Sequence, residues 1–260
     1  MKGTKIWLVL AVLLVVAGGS FMAVGLSMGG SKAMAFDWKK LRFVDAETKY
    51  VSGEVEFDGF SGVDLSIITA DVTISVGDKY MVEYKLPESA IDSIEVKDGV
   101  LHITEKDEVT TWINIDFNAD NNRYVKITVP AKTLDKSKIK VVTGDVIING
   151  VDYAGDIKVV TGDVSIIDAK MDGINVSGTT SDVICENVDV KNAQIYVTTG
   201  DVSVKLMSGS VSDLSAELKT VTGDVEIDGK EYDNKYTLSA DTSRTFTVHT
   251  TTGDITVRGN

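Results

Sequence analysis

Seven aspartates recur in one short phrase along this 260-residue chain, and their carboxylates are its best candidates for chemistry. Each follows a threonine and a small residue and precedes valine or isoleucine: Asp71, Asp145, Asp163, Asp182, Asp201, Asp224 and Asp254. Stacked carboxylates could offer a general acid or a metal ligand to a polysaccharide. A catalytic pair, however, needs two different environments to separate its pKa values, and identical phrases provide only one. The pattern therefore favours a structural role and predicts no catalytic residues, with a polysaccharide-acting β-helix enzyme as the weaker alternative.

Calcium binding is a second interpretation of the same aspartates. Carboxylates stacked about 4.8 Å apart repel one another, and Ca²⁺ bound between coils would relieve that repulsion while gaining oxygen ligands. The candidate ligands are Asp145, Asp163, Asp182 and Asp201. Known repeat sites of this kind use a denser phrase, Gly-Gly-x-Gly-x-Asp, than is found here. We therefore predict a protein without a cofactor or a bound metal.

The other reactive side chains are few. His102 and His249 are the only histidines, and the sequence has no Cys/His metal spacing, phosphate-cradling glycine loop or nucleophile elbow. The single cysteine, Cys185, falls three residues after Asp182, where other copies carry isoleucine or valine. A thiol at that place is expected to be buried and to act as a small apolar residue.

The phrase is a repeat, and its spacing indicates how these residues are positioned. Between Asp145 and Asp201 the copies recur about every 19 residues, a period that fits one coil of a β-solenoid. Apolar residues two and four before the threonine and one and three after the aspartate alternate with polar ones, which is the strand signal. The predicted fold is all-β: a parallel β-solenoid of about seven coils, preceded by one transmembrane helix.

The Gly-Asp step is predicted to form a corner of each coil. Glycine accepts a positive φ there, and aspartate can bond nearby backbone N–H groups. The turn residues are Gly144, Asp145, Gly162, Asp163, Gly200, Asp201, Gly223, Asp224, Gly253 and Asp254. Ala70 and Ser181 replace the glycine in two copies, so not every corner can demand a positive φ. The threonine column is expected to form a hydrogen-bonded internal ladder.

Composition and spacing divide the chain into four parts. They are a basic tail at 1–5, a transmembrane anchor at 6–28, a stem at 29–45 and the repeat domain at 46–260. An insertion at about 75–138 breaks the period and reads as antiparallel strands with hairpin connections. We expect these strands to cover the first coil, because an uncovered edge would offer free N–H and C=O groups to other chains.

The anchor is an apolar run from Ile6 to Met28 without a charged residue. A helix rising about 1.5 Å per residue over this length can cross a hydrocarbon core of roughly 30 Å. A cleaved signal peptide is the alternative, since Lys2 and Lys5 form a basic start and residues 33–35 resemble a cleavage site. The run exceeds the usual signal core of roughly 7–15 residues, which favours a retained single-pass anchor.

Charge bears on location and partners. The chain has 26 basic and 39 acidic residues, a net charge of −13, and the acidic excess lies beyond the stem. Lysine and arginine flank both ends of the anchor, so their count does not settle orientation. An acidic domain beyond a basic stem is expected outside the cell membrane. The same acidity argues against nucleic acid as a partner, because phosphate binding requires a basic surface.

Several segments together resemble a known family. The anchor, the segment Tyr-Val-Lys-Ile-Thr-Val-Pro at 124–130, the spacer at 131–138 and the repeat phrase at 139–146 are similar to bacterial membrane-anchored β-strand-repeat proteins named "putative adhesins". The resemblance covers roughly residues 45–260. It implies a cell-envelope protein without catalytic residues, and some members are linked to envelope-stress loci of Gram-positive bacteria.

Two functional hypotheses follow. In the first, a membrane-tethered solenoid binds a partner protein, a wall polymer or another envelope ligand by shape. In the second, solenoids stack end to end into a bactofilin-like scaffold. The second hypothesis predicts homo-oligomers through the C-terminal edge, because the strand from Thr252 to Val257 has no later coil to cover it.

Overall fold

The computed structural model describes residues 33–37, 42–45, 49–106, 114–116, 122–130, 133–240 and 242–260. These residues form strands, turns and one short 3-10 helix, which confirms the all-β prediction. The anchor predicted from Ile6 to Met28 lies outside them. Within the described part of the chain, no helix is long and apolar enough to cross a membrane.

The strands are numbered in chain order. The first ten are β1 (Ala33–Asp37), β2 (Arg42–Asp45), β3 (Tyr50–Phe57), β4 (Gly62–Thr69), β5 (Asp71–Val76), β6 (Tyr80–Pro87), β7 (Ile91–Lys97), β8 (Val100–Glu105), β9 (Asn114–Asp116) and β10 (Tyr124–Val129). The next seven are β11 (Thr133–Thr143), β12 (Val146–Asn149), β13 (Asp152–Thr161), β14 (Val164–Ile167), β15 (Lys170–Thr180), β16 (Val183–Thr199) and β17 (Val202–Leu206). After the 3-10 helix (Val211–Asp213) come β18 (Ser215–Lys219), β19 (Val225–Ile227), β20 (Lys230–Tyr232), β21 (Lys235–Leu238), β22 (Thr245–Thr252) and β23 (Ile255–Arg258).

The chain divides into two compact units. In the smaller unit, β1 pairs antiparallel with both β2 and β9 and forms a three-stranded sheet. The larger unit holds all the other strands and all seven copies of the repeat.

Two runs of paired strands build the larger unit. Sheet 1 includes the strands that lead to the corner threonines, and its order is β7-β8-β4-β11-β13-β15-β16-β22-β18-β21. Sheet 2 includes the strands that begin at or after the corner aspartates, and its order is β3-β6-β10-β5-β12-β14-β16-β17-β23-β19-β20. Strand β16 contributes to both sheets, and the inward side chains of the two sheets form one hydrophobic core.

Neighbouring coils pair in parallel with their repeat positions in register. Val146 lies opposite Val72 on one side and Val164 on the other, and Val164 lies opposite Val183. The next inward position, three after the aspartate, likewise pairs Ile166 with Cys185. Successive copies therefore stack the same side chain types over one another, which builds the core ladders that the sequence columns predict.

The last two copies of the repeat stack in reverse order. Strands β22 and β23, from the last copy, lie between β16/β17 and β18/β19, so Thr252 pairs with both Thr199 and Thr222. A buried contact joins the exchanged copies, since Thr220 Oγ1 donates to Gly253 O at 2.9 Å. The prediction that the strand from Thr252 to Val257 ends the stack is therefore wrong.

Antiparallel strands close both ends of the stack. At one end, β20 pairs antiparallel with β19, and β21 pairs antiparallel with β18. At the other end, β8 and β10 from the predicted insertion add to the first coil in parallel. Only β6 and β7, together with β3 from before the first copy, run antiparallel there. The insertion covers the first coil as predicted, but through two parallel strands that the sequence pattern did not indicate.

The corner glycines are in the positive-φ region that favours glycine. Gly162 has φ +132°, and a Cβ on it would lie 2.1 Å from the carbonyl oxygen of Gly144 in the neighbouring coil. The corner at Ser181 is built differently, because Ser181 is buried and Gly178 stands in a column of larger residues. A Cβ at Gly178 would lie 2.6 Å from Cβ of Ser181. A side chain at this corner therefore requires glycine three residues earlier.

The threonine column faces outward, so the predicted internal ladder is wrong. Thr69 is half-buried and the other six threonines are exposed. The last inward residue before each corner is two positions before the threonine, as with Val159 ahead of Thr161. The alternation of inward and outward residues therefore ends before the threonine, and the turn places the threonine side chain at the surface.

Candidate binding cleft

The seven corner aspartates form one continuous hydrogen-bonded ladder. In each step a carboxylate Oδ1 accepts the backbone N–H of the aspartate in the next coil, at 2.7–3.0 Å. The ladder runs Asp71, Asp145, Asp163, Asp182, Asp201, Asp254, Asp224. The sequence led us to expect bonds within one corner, but in-register coils place the next N–H one strand spacing away, within reach of the carboxylate.

This ladder gives the carboxylates one shared task. Six of the seven, all but Asp224 at the end of the ladder, accept a backbone N–H at a corner, where the sheet hydrogen bonds are interrupted. Charge-assisted bonds of this kind are stronger than neutral ones. Asp145, Asp163, Asp182 and Asp201 thus lie in a single column at equivalent positions. Within the described ranges, no three His, Cys, Asp or Glu side chains are grouped as a metal site would require.

The remaining candidate groups lie apart. His102 on β8 has its Nδ1 3.9 Å from Asp64 Oδ2, near one end of sheet 1, whereas His249 lies on β22 near the other end. Cys185 is buried, and burial raises the pKa of its thiol to about 12. The thiol stays protonated at neutral pH and packs as an apolar residue, as its column predicts.

A cleft of about 330 Å³ opens on the outer face of sheet 1, across β15, β16 and β22. Of its residues, the sequence analysis named only His249, as one of the two histidines and without a site assigned to it. The lining residues are Lys158, Ser177, Gly178, Thr179, Tyr196, Val197, Thr198, His249, Thr250 and Thr251. They supply hydroxyl groups, one ammonium group, one imidazole and one phenol ring.

Two aromatic side chains next to a much smaller residue shape this cleft. Tyr196 and His249 occupy equivalent positions on adjacent strands and pack edge to face, with centroids 5.6 Å apart and planes at 90°. The equivalent position on β15 holds the much smaller Ser177, and the next residue there is Gly178. The step from the small Ser177 to the two rings leaves a depression on the outer face.

Polar contacts hold the rings in place. Tyr196 is 38% exposed, and its Oη donates to Gln194 Oε1 at 3.0 Å. His249 Nε2 lies 3.7 Å from Glu217 Oε1 and is shielded from solvent without a hydrogen-bond partner among the described residues. The cleft therefore presents part of an exposed tyrosine ring beside hydroxyl groups, which suits non-covalent recognition of a polar ligand.

The fold defines a class: an all-β, solenoid-like repeat protein. Residues 60–256 match the Toastrack DUF4097 family, and the chain belongs to this family.

Solved structures resemble this chain at low sequence identity. A "putative cell adhesion protein" from Clostridium sporogenes is 17% identical, with a TM-score of 0.50 over 82% of this chain and 100% of that one. A "putative adhesin" from Bacteroides fragilis is 13% identical, with a TM-score of 0.41 over 82% of this chain and 98% of that one. A "putative lipid binding protein" from Parabacteroides distasonis is 12% identical, with a TM-score of 0.32 over 82% and 95%. No curated protein matches the chain.

Proposed function

We propose that this chain is a single-pass cell-envelope protein whose β-repeat domain lies outside the membrane and binds an envelope component without catalysis. The observation that carries the proposal is a difference between two surfaces, the corners of the coils and the cleft on sheet 1. The corner carboxylates are engaged in backbone bonds, while the cleft on sheet 1 offers hydroxyl, ring and ammonium groups for recognition.

Sequence and family features support the location. The uncharged run from Ile6 to Met28 is long enough to span a bilayer, and the acidic excess follows it. The related fold from Clostridium sporogenes carries the name of a cell adhesion protein, which accords with a binding role. The resemblance to envelope-stress proteins extends the proposal to a role in the response to envelope damage.

Self-assembly into a scaffold is the alternative. The strands at the end of the stack have features that oppose it, which the sequence pattern alone did not indicate. The terminal strands β20 and β21 are three and four residues long and carry Lys230 and Lys235. Short edge strands with lysines are a common means of preventing edge-to-edge pairing. A homo-oligomer through this end would have to overcome these features, so we favour a tethered binder.

Fractionation of cells tests the location. Full-length protein should stay in the membrane fraction after carbonate and high-salt washes, with its N-terminus intact, because a spanning helix resists both treatments. Protease added to intact cells should degrade the β-repeat domain. Release of a chain that begins at Phe36 would show a cleaved signal peptide instead, and protection from protease would reverse the proposed topology.

A further inference from the structure

The outer face of sheet 1 carries a column of lysine, hydroxyl-bearing and imidazole side chains, one from each strand. On the strands that lead to a corner the member lies three positions before the corner threonine, and on β21 it is Lys235, which lies opposite Lys219. From β11 to β21 this column, the lysine column, reads Lys140, Lys158, Ser177, Tyr196, His249, Lys219 and Lys235. It contains four lysines and no carboxylate, on a chain whose net charge is −13. The cleft at Tyr196 and His249 lies at its centre.

Three of these lysines lack an acidic partner. Within the described residues, no carboxylate oxygen pairs with Lys140, Lys158 or Lys219, and Lys235 lies 3.8 Å from Glu217. Some lysines outside the column are paired, since Lys191 contacts Asp172 at 2.7 Å. Likewise, Lys79 contacts Glu56 at 2.8 Å and Lys106 contacts Asp92 at 2.9 Å. Lys138 and Lys205, by contrast, have no carboxylate within ion-pair distance among the described residues. Three of the four lysines in the column thus carry a positive charge with no carboxylate within ion-pair distance among the described residues.

The dimensions of the column indicate an extended ligand. Strands of a sheet lie about 4.8 Å apart, so the column from Lys140 to Lys235 spans roughly 30 Å. The two lysines at each end flank the uncharged centre, and one small anion could contact only one end. A ligand that neutralises both ends must be a chain with several anionic groups.

Acidic side chains border the column and limit its width. Two positions nearer the strand start, the neighbouring outward column includes Asp156 beside Lys158 and Glu217 beside Lys219. On the other side, beyond an uncharged column, runs the ladder of corner aspartates. A broad anionic surface such as a bilayer or a nucleic acid duplex would meet these carboxylates, whereas a single polymer chain can lie between them.

The centre of the column favours sugar or polyol units between the anionic groups. Tyr196 exposes part of its ring, and Ser177, Thr179, Thr198 and Thr251 place hydroxyl groups around it. A ring beside hydroxyl groups can pack against a C–H face of a sugar and exchange hydrogen bonds with its hydroxyls. The lysines at either end supply the contacts for phosphate or carboxylate groups.

We propose that the lysine column binds a linear anionic glycan, a chain of sugar or polyol units bearing phosphate or carboxylate groups. This proposal rests on the envelope-binding function above and names the chemical class of its ligand. It also reconciles the acidic chain with an anionic ligand, because recognition depends on a narrow local field rather than on net charge.

Binding of defined polymers to the full-length protein in detergent micelles tests this proposal. The probes are poly(glycerol phosphate), polygalacturonate and neutral dextran, and the readout is affinity at two salt concentrations. At least one anionic polymer should bind, more weakly at high salt, and dextran should not. The double variant Lys140→Gln/Lys158→Gln should lose at least about tenfold in affinity, since one charged contact contributes at least that factor.

A matched control removes the same charge elsewhere. Lys170→Gln/Lys191→Gln breaks ion pairs with Asp152 and Asp172 and should leave affinity within about twofold, because neither side chain belongs to the lysine column. An equal loss in both double variants, or equal binding of dextran, would overturn the proposal. Binding of anionic phospholipid vesicles or single-stranded DNA, but of neither anionic polymer, would overturn it as well.

Separate measurements test the proposed envelope-binding function. If neither anionic polymer binds but the full-length protein still captures envelope material from lysed cells, the glycan proposal fails and the envelope function stands. Loss of the protein from the membrane fraction counts against the envelope function itself.

Discussion

Replacing Val164 with aspartate should unfold the β-repeat domain. Val164 is fully buried at the start of β14, between Val146 and Val183 of the neighbouring coils. An unpaired charge there costs roughly 3–5 kcal/mol, and the lost valine burial adds about 1.5–3 kcal/mol. Because a domain is commonly stable by only about 5–15 kcal/mol, thermal unfolding followed by circular dichroism should show a collapsed or missing transition.

Val221→Asp is the matched control for this change. Val221 lies next to a corner of the same stack but is 64% exposed, so an aspartate there remains in water. Its melting temperature should stay within a few degrees of the wild type. A Val164→Asp variant that melts alongside the Val221→Asp variant would mean that the coils do not share the buried ladder described above.

Truncation after Ser243 should destabilise the domain far more than the loss of a terminal coil would. It removes β22 and β23, which lie inside the stack between β16/β17 and β18/β19. Their fully buried side chains are Phe246, Val248, Ile255 and Val257. At about 1.5–3 kcal/mol each, they account for on the order of 6–12 kcal/mol. We expect no cooperative melt, or proteolytic release of residues 207–243.

Removal of only Gly259 and Asn260 is the control, because it leaves both inner strands intact. Its melting temperature should be close to that of the full chain. If the truncation after Ser243 kept a cooperative melt with only a modest loss, the copies would stack in sequence order and the exchange of the last two would be wrong.

The coil architecture could be predicted because each column constrains one strand position. Val72, Val146, Val164 and Val183 recur at the same place in the phrase and lie in one ladder. The confirmed all-β fold follows from that alternation. The bond from each aspartate to the next coil was not foreseen, since it depends on register between coils rather than on any single turn.

The stacking order of the last copies could not be predicted in the same way. Columns specify which positions align, but they do not say which coil lies beside which. Longer connections separate Asp201, Asp224 and Asp254, and they allow either order. One feature of the sequence did indicate the exchange. The inward column two positions before the corner threonine holds mainly valine but has threonine at 220 and 250, and both hydroxyls donate to Gly253 O.

The cleft escaped prediction because it depends on outward residues that differ between copies. The phrase that recurs along the chain lies at the corners, whereas Ser177, Tyr196 and His249 occupy a column whose residue type changes from copy to copy. In the sequence, Gly178 stands out as a glycine in a column of larger inward residues. Only the structure shows the reason, which is that a side chain at Gly178 would collide with Ser181.

Incubation of the full-length protein with purified wall polysaccharide tests the non-catalytic binding role most directly, with polymer length afterwards measured by size-exclusion chromatography. A binding protein should retain the polymer and return it at unchanged length. Asp163→Asn should also return the polymer at unchanged length and stay folded with only a modest loss of melting temperature, because an asparagine oxygen can still accept the N–H of Asp182, although as a weaker neutral bond. Shortened polymer with the wild type, but not with a folded Asp163→Asn variant, would contradict this role and make the corner aspartates catalytic.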